Sequence, residues 1–97
     1  MNIETIKQRK AMYGDNFKPI SDKWSKYLNK DISPKDVAKM MSLMKEVRID
    51  MTQEKIDNCE YDDEYGLKSL IDSLEDSITD KENYNFVYYN FSEYEEL

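Results

Sequence analysis

The chain has 97 residues and a formal net charge of −7, with 39% hydrophobic and 36% charged residues, enough for one hydrophobic core and too few for two. It has no histidine and a single cysteine, Cys59, which excludes histidine-dependent acid–base chemistry, Ser-His-Asp and Cys-His nucleophile pairs, the usual zinc ligand sets and an internal disulfide. Two glycines and two prolines are too few for a turn-rich sandwich or barrel, so the expected fold is all-α: a compact bundle of four to five helices forming one domain over residues 1–97.

The first expected helix runs from Met1 to Tyr13, with Ile3, Ile6, Met12 and Tyr13 roughly on one stripe, cations at its end and Gly14 as the stop. Phe17, Ile20, Trp24, Tyr27 and Leu28 give a second helix with an aromatic core face, which Asn29 terminates. Ser33, Pro34 and Asp36 supply an N-cap hydroxyl, a first-turn proline and a first-turn acid, so a third helix is expected to begin at Pro34. Its stripe of Val37, Met40, Met41, Leu43, Met44 and Val47 is expected at the centre of the core, with the helix ending near Asp50.

Residues 51–63 lack strong periodicity and are read as a connection holding at most a short helical turn, with Asp62 or Asp63 capping the next element. Leu67, Leu70, Ile71, Leu74 and Ile78 then define a helix from Glu64 to Thr79, apolar toward the core and acidic outward. In residues 83–97 the tyrosines and phenylalanines fit both strand and helical spacing. Helix is favoured because no other strand candidate exists to pair with, and a short strand is the alternative.

Charge divides the chain in two. Residues 1–50 carry 11 Lys/Arg against 7 Asp/Glu, whereas residues 51–97 carry 3 against 14. No stretch approaches the roughly 20 apolar residues of a membrane span, and the polar first ten residues lack a signal-peptide apolar run. A protein acting in the cytoplasm, in a host cell, is expected.

Arg9-Lys10-x-x-Tyr13-Gly14-Asp15, Trp24-Ser25-x-Tyr27-Leu28, and the run from Ile32-Ser33-Pro34-x-Asp36-Val37-Ala38 through Met40-Met41-x-Leu43-x-Lys45-x-x-Arg48 resemble a family of small bacteriophage proteins of unknown function. That family is in turn distantly similar to the all-α MazG-type nucleotide pyrophosphohydrolases, whose helices present acids to a magnesium-bound nucleotide. The resemblance covers about half the chain. Asp57-Asn58 and Tyr65 match its continuation, while Tyr61 stands where that family has aspartate and Glu64 where it has glycine.

Three functional readings follow. In the leading one, carboxylates along a helix and its flank imitate nucleic-acid phosphates, and tyrosines add rigid contact area. The residues assigned to partner binding are Asp62, Asp63, Glu64, Asp72, Glu75, Asp76, Asp80 and Glu82, with Tyr61, Tyr65 and Tyr84 as neutral contacts. The expected partner is the basic groove of a host nucleic-acid-binding defence protein such as a CRISPR effector, inhibited without catalysis or cofactor, as small acidic anti-CRISPR and anti-restriction proteins do. Direct nucleic-acid binding is disfavoured by the net charge. The alternative is a MazG-like protein binding magnesium and a nucleotide, with Glu46, Asp50, Asp57 and Asp62 or Asp63 as candidate ligands. A third reading is self-association, the basic half of one copy meeting the acidic half of another.

Overall fold

A computed structural model of the chain describes residues 3–97 and is all-α, with five helices and no strand among those residues. Helix α1 spans Ile3–Tyr13, α2 Phe17–Leu28, α3 Pro34–Asp57, α4 Glu64–Tyr89 and α5 Phe91–Glu96. Met1 and Asn2, assigned to the first helix from sequence, lie outside the described residues.

The helix ends follow from local chemistry. Gly14 closes α1 at φ +56°, a left-handed conformation that costs glycine little. Asn29 closes α2 in the same region, with the Lys30 N–H reaching back to the Ser25 carbonyl at 3.2 Å. Two serines of α2 then grip the incoming chain: Ser21 Oγ donates to the Ile32 carbonyl at 2.7 Å, and Ser25 Oγ accepts from the Ile32 N–H at 3.0 Å. This clamp delivers Ser33 to its capping box, in which Ser33 Oγ accepts from the Asp36 N–H at 3.1 Å and Asp36 returns the bond to the Ser33 N–H at 3.2 Å.

Both long helices outrun their expected ends. Residues 51–57 contain neither glycine nor proline, so α3 continues past Asp50 for two more turns, and the connection shrinks to residues 58–63. Likewise α4 runs past Thr79 to Tyr89, where Asn90 turns its side-chain amide onto the Phe86 carbonyl at 2.8 Å and starts α5. Residues 83–97 therefore divide between two helices, and the strand alternative is set aside.

The core lies at one end. Ile6, Phe17, Ile32, Val37, Ala38, Val87, Phe91 and Tyr94 are buried, with Tyr13, Trp24 and Tyr84 packed against them. Phe17 is its hub, its ring lying 5.8–6.4 Å from those of Tyr13, Tyr84, Phe91 and Tyr94. Tyr94 also donates from its hydroxyl to the Gly14 carbonyl at 2.7 Å, pinning α5 to the first turn.

Beyond this body α3 and α4 continue as an antiparallel hairpin to which no third helix adds a layer, and the chain measures 47 × 36 × 16 Å. The seam inside the hairpin includes small polar groups: Ser42, Thr52 and Ser77 are buried, and Ser42 Oγ bonds Asn85 Oδ1 at 2.7 Å. Two ion pairs cross it, Lys45–Asp80 at 3.3 Å and Lys81–Glu46 at 3.6 Å.

This architecture corrects the expected core. Val37 is buried and Met40 and Met41 are half-buried, but Leu43, Met44 and Val47 are exposed, because they lie where α3 has left the body. Ile71 and Ile78 of α4 are exposed for the same reason, and Tyr27 of α2 is exposed although its helix belongs to the body. Among the described residues no helix is long and apolar enough to cross a membrane.

Candidate functional site

The hairpin tip is built by three local devices. Helix α3 ends in a Schellman turn, with the Glu60 N–H on the Lys55 carbonyl at 2.8 Å and the Cys59 N–H on the Ile56 carbonyl at 3.1 Å; Cys59 takes the left-handed position at φ +54°. Asp63 caps α4, its Oδ1 accepting from the Gly66 N–H at 2.8 Å. Tyr61 folds over Gly66, where an added Cβ would approach the Tyr61 Cβ to 3.3 Å. A hydrogen bond to Cys59 raises the Tyr61 hydroxyl above its ordinary pKa.

These devices hold a dense set of acids at the far end of the molecule. Glu60, Asp62, Asp63 and Glu64 are exposed, and so is Tyr65, which is 84% accessible. Among the described residues no ion pair neutralises any of them. The Asp63 carboxylate also accepts the Gly66 N–H, so its charge stabilises the helix start as well as facing solvent.

Along α4 the predicted ridge divides. Asp72, Glu75, Asp76 and Glu82 are exposed and carry no ion pair among the described residues, whereas Asp80 is held by Lys45. Asp72, Asp76 and Asp80 recur every fourth residue, which advances them by about 6 Å each along the helix axis. Tyr84 is placed differently from the others: its ring stacks on Tyr13 at 5.0 Å and meets Phe17, so it is a packing residue of the body. Burial is the main cause that raises its hydroxyl pKa, with Asp80 second.

The structure does not gather the candidate magnesium ligands. Glu46, Asp50 and Asp57 fall along one side of α3, the first and last about 16 Å apart along the axis, and Glu46 is engaged by Lys81 while Asp57 accepts from Gln53 at 2.9 Å. Asp62 and Asp63 lie beyond the helix end. Among the described residues no group of three or more His, Cys, Asp or Glu side chains is placed to hold a metal ion. A cavity of about 220 Å³ between Gly14, Phe17, Pro34, Phe91 and Tyr94 is smaller than the roughly 300 Å³ at which ligand pockets begin.

Sequence reasoning missed a trough on one face of the hairpin. One wall is α3, with Met44, Val47, Arg48, Met51 and Lys55; the other is α4, with Asp72 and Asp76 beside Ser69, Ser73 and Ser77. The available signal was that α3 carries apolar residues on two sides. Ala38, Ile49 and Ile56 fall toward the α4 seam, while Met44, Val47 and Met51, at spacings of three and four, turn away from it.

A family model described as "Domain of unknown function (DUF6378)" matches residues 3–75, which span α1, α2, α3 and the first part of α4. No curated protein and no solved structure matches the chain.

Proposed function

The chain belongs to the DUF6378 family, and we propose that it works as a binding protein whose acidic hairpin tip and outer α4 face occupy a basic, nucleic-acid-binding groove on a host protein. The partner class is a defence protein of the CRISPR-effector or restriction kind, inhibited by occupation of that groove without a catalytic step. One observation carries the reading: Glu60, Asp62, Asp63 and Glu64 stand with exposed Tyr65 at the far end of the hairpin, un-neutralised among the described residues, whereas Glu46 and Asp80 nearer the body are paired with lysines.

Coulomb attraction to an Arg/Lys groove is long-ranged, so such a surface associates quickly and weakens as salt rises. Tyrosine contributes contact area with little entropy loss. Carboxylates repeated along α4 supply a row of charges comparable in kind to a phosphate strand.

The test is capture from a natural host extract at low and high salt, with duplex DNA as competitor. The expected result is a basic nucleic-acid-binding protein retained at low salt, displaced by DNA, and lost on combining Asp62→Lys, Glu64→Lys and Glu75→Lys. Those positions are exposed and cap nothing, so helicity should be unchanged. Capture that ignores both the substitutions and the DNA would overturn the reading.

A further inference from the structure

The chain exposes more surface than its mass requires. A compact monomer of 11.6 kDa exposes about 5,800 Å², and this chain exposes 6877 Å². The surplus, about 1,000 Å², is comparable to the roughly 800 Å² that each partner buries in a standard interface. The radius of gyration agrees, at 16.0 Å against about 12.5 Å for a compact chain of this length.

Part of this exposed surface is an apolar stripe on the hairpin. Met44, Val47 and Met51 are 60%, 57% and 56% accessible, and they border the trough between α3 and α4. Beside them on α3 stand Arg48 and Lys55, while the α4 wall carries Asp72 and Asp76. None of these four charged groups has an ion pair among the described residues.

We infer that this trough is where a second copy of the chain docks, hairpin upon hairpin. The occupant follows from the pattern of charge. A basic foreign surface would meet Arg48 and Lys55, and an acidic one, nucleic acid included, would meet Asp72 and Asp76. The face complements itself. The Lys45–Asp80 and Lys81–Glu46 pairs set the register of the two helices, which brings Arg48 and Asp76 to similar heights, and likewise Lys55 and Asp72. A twofold axis along the hairpin lays α3 of one copy over α4 of the other at equal height. Arg48 then faces Asp76 across the interface, Lys55 faces Asp72, and Met44, Val47 and Met51 are covered. Being isologous, the contact closes at two copies. It leaves the acidic tip exposed but covers Asp72 and Asp76 of the α4 row, so the tip variants and not these two positions separate it from the proposed function.

Sedimentation of the full chain over a range of concentrations tests this, with far-UV circular dichroism as the control for folding. The wild type is expected to be a dimer that dissociates on dilution. Arg48→Glu with Lys55→Glu, or Asp72→Lys with Asp76→Lys, should each weaken dimerisation by roughly a hundredfold, because like charges then face each other. All four together should restore it. Val47→Glu, already exposed within one copy, should give a helical monomer. A wild type that stays monomeric, or a dimer indifferent to these variants, overturns the inference. The tip variant Asp62→Lys with Glu64→Lys should leave the dimer intact, which separates this result from the partner-binding test.

Discussion

Tyr94 shows how much one side chain near the end of the chain can hold. It is 2% accessible, hydrogen-bonds the Gly14 carbonyl and carries the Lys10 ammonium 4.6 Å above its ring. Burial, then the charge of Asp15 and the neighbouring Tyr13, push its hydroxyl up to about 12; burial also raises Tyr13 and Tyr84. In the unfolded chain these phenols ionise near 10. The folded state therefore binds more protons above that pH. Stability from this source is complete below 10 and is lost as pH climbs toward 12. Urea unfolding at stepped alkaline pH should show this fall, and Tyr94→Phe should flatten it while costing about 1 kcal/mol near neutrality. A variant with the wild-type alkaline slope would assign the effect elsewhere.

At the scale of elements, what could be read from sequence was what local chemistry decides. Ser33-Pro34-x-Asp36 announced the start of α3 because capping is settled within four residues, and the structure contains the reciprocal bonds. The end of α3 was not legible, since in residues 51–57 the buried position is the polar Thr52 while the apolar Met51 is exposed, which blurs the apolar stripe. The Met44 and Val47 stripe was read as core because spacing tells which residues share a face, not whether anything covers it. In the candidate site the acids themselves were plain. That Asp80 and Glu46 are neutralised by lysines some 35 positions away, or that Tyr84 belongs to the body, depends on tertiary pairing that a single sequence does not display. The α3 terminus also offers a test. Cys59 occupies a left-handed position that glycine adopts without strain, so Cys59→Gly should stabilise the fold by about 1 kcal/mol in denaturant titration. A loss of stability would mean that the Cys59 contact with Tyr61 outweighs the backbone strain.

For the whole molecule, the split in charge becomes a division of labour in space. The basic helices α1 and α2 join the C-terminal part of α4 and α5 in the aromatic body, while the acids beyond residue 50 concentrate on the hairpin and its tip. A body with its own core beside a hairpin lacking a third layer has uneven stability along its length. If the hairpin gains its missing layer from a second copy, the unfolding midpoint should rise with protein concentration, because only the folded chain can pair. Midpoints that coincide over a wide concentration range would contradict that picture.

The two ion pairs across the seam also give the hairpin a mechanical character. From Lys45 and Asp80 to Asn58 is thirteen residues, an arm of about 20 Å. Held at its root and free at its end, it acts as a lever, and a tilt of about ten degrees at the root sweeps the tip through roughly 3–4 Å at that arm length. The acids of residues 60–64 are thus rigidly spaced among themselves yet adjustable as a group. The lysines at its root couple α3 to α4, so that the two helices tilt as one arm and carry the tip acids together.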